Sequence, residues 1–148
     1  MSSKESTLNH KERVKELLII AAEEIVERGE NHDNSKLESP EIELMNKYSP
    51  LISELVFGSE EYYASLVALK PALDHHYDVN RHHPEHYENG IDDMDLFDIM
   101  EMFFDWKASG ERYKGSNIYK SLEINKERFG ISDQLVKILI NTAKNKGW

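Results

Sequence analysis

Apolar residues recur at three- and four-residue steps along most of the chain. Val14, Leu17, Leu18, Ala21 and Ile25 form one stripe, which predicts a helix over about residues 8 to 28 that buries this stripe and ends near Gly29. Ser39-Pro40-Glu41 offers an N-cap, a first-turn proline and an acidic first turn, so a second helix is expected through about residue 48. A short helix is expected from Pro50 to Val56. Ser59-Glu60-Glu61 opens a longer one carrying Tyr63, Leu66, Val67 and Leu69, reaching His76 or beyond and bending at Pro71. Residues 79 to 93, with Pro84 and Gly90, predict a polar loop. Leu96, Ile99, Met100, Phe103 and Phe104 place a helix over residues 94 to 106. Two more follow, one near residues 118 to 129 and one behind the Ser132-Asp133 cap carrying Leu135, Val136, Leu139 and Ile140. No stretch sustains the alternation of a strand. The expectation is one all-α domain over residues 1–148, with a core at about 8–110 and C-terminal helices at about 116–148.

Composition agrees with a folded chain: 148 residues, 39% hydrophobic and 31% charged. The absence of cysteine excludes a disulfide framework, a thiolate zinc site and a cysteine nucleophile. The longest apolar run, residues 17 to 22, is too short to span a bilayer, and the polar residues 1 to 7 lack a signal-peptide pattern. A cytoplasmic protein without a membrane partner is therefore expected. The formal net charge of −10 argues against broad nucleic-acid binding. A small anionic substrate is still compatible with it, because a bound cation inverts the potential inside a pocket.

The candidate chemistry lies in the histidines, at positions 10, 32, 75, 76, 82, 83 and 86, five of them between 75 and 86. Imidazole and carboxylate donors without thiolate suit one or two divalent transition-metal ions, Mn, Fe, Co, Ni or Zn, better than Ca. The cluster also reads as a polar surface loop or a structural zinc clamp. His32-Asp33 in the string HDNSK demands a tight turn if both side chains are to meet one ion. Asp105 in EMFFDW neighbours Phe103 and Phe104, where a buried carboxylate would be costly to desolvate without a cation. Asp105 equally reads as a surface or satisfied core acid. Glu101, one turn earlier, is a candidate further ligand or hydrogen-bond partner of a ligand.

The order His10, His32-Asp33, Asp105 resembles the H...HD...D signature of the HD-domain superfamily of metal-dependent phosphohydrolases, over about residues 10 to 107. The strings HDNSKLESPE, NRHHPEHY and EMFFDW together are similar to those of a family of small HD-like proteins of bacteria and their phages. The resemblance implies an HD-like helical bundle in which His10, His32, Asp33 and Asp105 hold a first metal, with His76, His82 and His83 placed to complete a second. It also implies that Lys36 holds a phosphate oxygen or positions the attacking water. The GYP string of one branch is absent, so cyclic-di-GMP hydrolysis is not implied. An unbroken helix from His10 to Gly29 would hold its ends about 28 Å apart, so either the helix folds back or His10 is a capping or core residue. The function expected on this basis is metal-assisted hydrolysis of a small phosphate ester, with a nucleotide as the substrate class. Lys36, Glu85 and Glu101 are the acid–base candidates. Two alternatives stay open: an HD-type di-iron oxygenase, and a non-catalytic nucleotide-binding or interaction protein. The sequence leaves the oligomeric state undetermined.

Overall fold

A computed structural model describes residues 2–55, 59–112 and 115–148, apart from the Ser53 side chain. Among these residues every regular element is helical, as the apolar periodicity predicts. No helix among the described residues is long and apolar enough to cross a membrane. Contacts group the chain into two units, residues 1–32 and 33–148.

The first unit is a single helix, α1 (Ser3–Asn31), longer at both ends than the periodicity predicts. A capping box starts it: Ser2 Oγ accepts from the Glu5 amide, and the Ser2 amide donates to the Glu5 carboxylate at 2.7 Å. Gly29 does not end it, and the helix runs on to Asn31. The expectation of a buried stripe is corrected here. No residue of α1 is buried, and Leu18 of the stripe is 66% exposed. A unit made of one helix has no interior in which to enclose a stripe.

The second unit opens with a 3-10 turn, Asn34–Leu37, followed by α2 (Glu41–Glu54). Pro50 lies inside α2, so the two helices expected on either side of it are one; Val56, the expected end of the second, lies outside the described residues. Helix α3 (Glu60–Val79) starts at Ser59, whose hydroxyl accepts from the Tyr62 amide, and continues past Pro71. The expected polar loop contains two 3-10 turns, Pro84–His86 and Gly90–Asp93. Helix α4 (Leu96–Glu111) carries its own capping box between Asp95 and Asp98. Helices α5 (Ile118–Phe129) and α6 (Asp133–Lys146) span the residues the sequence predicts, α6 behind its Ser132 cap, while the Asn117 cap of α5 was not foreseen. Gly130 ends α5 at φ 62, a left-handed position that a Cβ would strain.

Two packing layers position the site. Ile99, Met102 and Phe103 of α4 pack with Ile118 and Leu122 of α5 and with Leu139 and Ala143 of α6 as the apolar core. Helix α2 packs along α3, and the Asn34–Leu37 turn lies against both. The loop between α3 and α4 is tied down by a buried acid. Asp98, fully buried, accepts from the Arg81 guanidinium at 3.2 and 3.1 Å, from the Tyr87 hydroxyl at 2.6 Å and from the Asp95 amide at 3.0 Å. Its charge is thus satisfied from several sides, which makes its burial tolerable. The same bonds hold Arg81, and with it the two residues that follow, against α4.

Candidate metal centre

Asp33 adopts a left-handed backbone, φ 57, the one positive-φ non-glycine among the described residues. This is a conformation aspartate tolerates better than most side chains. The turn is closed by the Lys36 amide donating to the Asp33 carbonyl at 2.9 Å. The Asp33 carboxylate is shared by two neighbourhoods. Its Oδ2 accepts from Lys36 Nζ at 2.6 Å. Its Oδ1 lies 3.4 Å from His76 Nε2 and 3.4 Å from His82 Nε2.

His76 comes from the last turn of α3, while His82 and His83 come from the loop held by Asp98. His76 and His82 are both buried. His76 Nε2 is 2.8 Å from His83 Nε2, and one ligand atom from each of Asp33, His76, His82 and His83 lies within 4.8 Å of all the others. The two 3.4 Å separations are long for hydrogen bonds. They match the spacing of about 3.4 Å between two donors that each sit about 2.0–2.1 Å from one tetrahedral ion. Asp105 offers a further oxygen within 4.8 Å of a His82 nitrogen.

The far nitrogens of two of these rings face carboxylates. His82 Nδ1 is 3.1 Å from Glu101 Oε1, and His76 Nδ1 is 2.9 Å from Glu41 Oε2. The ring–carboxylate pairing is the usual outer support of an imidazole ligand. Burial, with the charges of His82 and His76, pushes His83 down to about 3. Burial and the Lys36 ammonium also lower His76, against the opposing pull of Asp33 and Glu41. Both rings are therefore neutral at pH 7, the form in which imidazole ligates. Burial works to raise the Glu41 carboxyl, but hydrogen bonds from His75, Ser35 and His76 outweigh it and hold the group below its ordinary value, ionised.

The other sequence candidates fall at defined places. His32 caps the C-terminus of α1 as the last residue of the first unit, bonded directly to Asp33. His10 sits on α1, 22 positions before His32, and because that helix is unbroken the two are about 33 Å apart at about 1.5 Å per residue. No single ion can hold both. Lys36 stands at the edge of the cluster on Asp33, and Glu101 stands behind His82. Glu85 is engaged by Arg128 at 2.8 Å. His86 Nδ1 meets the Tyr77 carbonyl at 2.9 Å.

Sequence reasoning missed Glu41 as a site residue, together with Ser35 and Asn80 around it; His75 it counted only as one of the histidine cluster. Glu41 has the signature of an acidic first-turn residue, which normally faces solvent near a helix N-terminus. Its full burial against α3 comes from the packing of α2 on that helix. The one available signal was its position in HDNSKLESPE, a string singled out for other residues.

The chain belongs to a family of unknown function, DUF5662, whose model matches residues 1–145. No curated protein and no solved structure matches the chain.

Proposed function

We propose that this member of the family is a metal-dependent phosphohydrolase acting on a small phosphate ester, with a nucleotide as the favoured substrate class. The observation that carries the reading is the convergence of Asp33, His76, His82 and His83, with Asp33 Oδ1 at 3.4 Å from two imidazole nitrogens. The donor set of nitrogen and oxygen without sulfur suits Mn, Fe, Co, Ni or Zn. The H...HD...D order, as a resemblance, supports the hydrolase over other metal chemistries.

A divalent ion held there would supply Lewis acidity toward a phosphoryl oxygen and lower the pKa of a water. The chain's own groups do the rest. The rings of His76 and His83 are neutral at pH 7, so each keeps one nitrogen lone pair, and without an ion their 2.8 Å Nε2–Nε2 contact is bridged by the proton of one of them. Lys36, partly exposed beside Asp33, is the cation at the edge of the cluster and the group suited to meet an incoming phosphate. Glu101 orients His82 from behind.

The test is elemental analysis of protein purified without chelator, followed by a phosphate-release screen of nucleotides with each metal added. Transition metal near one equivalent or above, with phosphate released, supports the proposal. Metal content below about a tenth of an equivalent, with no heat on titration by any of these ions, would overturn the metal centre, since such sites bind far below millimolar. Iron with oxygen uptake and no phosphate release would point to an oxygenase, and tight nucleotide binding without turnover to a binding protein.

A further inference from the structure

Glu41 is a fully buried carboxylate beside the cluster, and it reaches two histidines at once. His75 Nδ1 lies 2.7 Å from its Oε1, and His76 Nδ1 lies 2.9 Å from its Oε2. An ionised carboxylate only accepts hydrogen bonds. Each of those ring nitrogens must therefore carry a proton, because a bare lone pair facing a carboxylate oxygen at that distance would be repelled.

The neighbouring polar groups leave the same assignment. Asn80 Nδ2 has two protons, and its two good acceptors are the Ser35 hydroxyl at 2.8 Å and the His76 carbonyl at 2.8 Å. Ser35 Oγ, having accepted from Asn80, turns its own proton to Glu41. Neither Asn80 nor Ser35 is then left to donate to His76 Nδ1, although both lie within 3.2 Å of it. In a neutral ring a proton on Nδ1 leaves Nε2 with its lone pair. That Nε2 is the atom 3.4 Å from Asp33 Oδ1 and 2.8 Å from His83 Nε2.

We infer that Glu41 is a positioning residue: from α2 it locks His76 as the Nδ1–H tautomer and so presents the Nε2 lone pair to Asp33, His82 and His83. Glu41 is not among the four groups that converge at the centre. It acts through His76 and is itself held by Ser35 and His75. The role in metal affinity rests on the metal-centre reading, whereas the tautomer does not.

Replacement by glutamine exposes the role. A Gln side chain keeps nearly the same shape but has one accepting oxygen, so it can take a proton from only one of the two rings. Its amide would donate to the other and force that ring's proton onto Nε2. The experiment is long-range 15N–1H correlation of the histidine rings in metal-free protein, with Zn titration followed by calorimetry, on wild type and Glu41→Gln. Wild type should show His76 with a protonated Nδ1 and a bare Nε2. In Glu41→Gln the Nε2–H form of His76 or His75 should appear, and Zn affinity should fall about 10- to 100-fold. Finding His76 as the Nε2–H tautomer in the metal-free wild type would overturn the inference, and this reading needs no variant to fold. A folded Glu41→Gln protein with unchanged ring tautomers and unchanged Zn affinity would also overturn it. Zn failing to bind the wild type while His76 shows the Nδ1–H tautomer would defeat the metal-centre reading and leave the positioning role of Glu41 standing.

Discussion

Asp33 divides its two oxygens between an ammonium and a pair of imidazoles, and the roles of the nearby residues follow from that division. Lys36 neutralises Oδ2 from a partly exposed position, so the pair by itself contributes at most about 1 kcal/mol to folding. Lys36→Ala should thus leave stability and metal content almost unchanged. In the proposed reaction it should lower kcat/KM about 10- to 100-fold, the loss of one charge-assisted hydrogen bond of about 1.5–3 kcal/mol. Loss of metal in that variant would instead make Lys36 a support of the Asp33 turn. The histidines predict an acid sensitivity. His83 is held down at about 3, and His76 is lowered too, while unfolded histidine titrates near about 6.5. The unfolded chain then binds more protons between those limits. Stability is complete above about pH 6.5 and is lost as pH falls toward about 3. Melting of chelator-treated protein across that range should show a falling Tm, and a flat profile would contradict the burial of these rings.

The helices that were easiest to read in the sequence are those whose ends are set by their own residues. Asn117 Oδ1 accepts from the Lys120 amide at 3.0 Å, and Gly130 closes the same helix, so α5 needs nothing distant to fix its bounds. Asn117→Ala should cost about 0.5–2 kcal/mol in urea unfolding. Proline misled the reading at residue 50, because its cost inside a helix is a local penalty that the packing of α2 along α3 offsets. Apolar spacing also shows which residues share a face without showing whether that face is covered. Phe103 is buried between α5 and α6, whereas Leu96, at the start of the same helix, is 69% exposed. Phe103→Ala should destabilise by about 3–5 kcal/mol, and Leu96→Ala should stay within about 0.5 kcal/mol. Comparable losses for the two would contradict the placement of the core.

For the second unit as a whole, an ion at the centre would join the turn at Asp33, the end of α3 and the following loop, three segments that local structure holds only in part. Binding to the folded state alone adds about 2.7 kcal/mol at a hundred times Kd, or about 5–10 °C in Tm for a chain of this size. The wild type should show that rise on adding metal. Asp105→Ala should show a smaller one, since Asp105 offers an oxygen close to His82. Equal rises in both proteins would place Asp105 outside the centre.

The sequence by itself determined the helical class, the span of α5, the cap of α6, and the residue types gathered at the centre. These are set by short-range periodicity, by side chains that bond amides three residues away, and by donor chemistry. Only the tertiary structure decided which of the seven histidines converge, because His76 and His82 are brought to Asp33 by the packing of α2 and α3 and by the Arg81–Asp98 tie. It alone separated His10 from His32 along an unbroken helix. It alone turned Glu41 from an ordinary first-turn acid into a buried acceptor. Burial is a property of the partner surface as much as of the residue, and one chain position does not encode what will cover it.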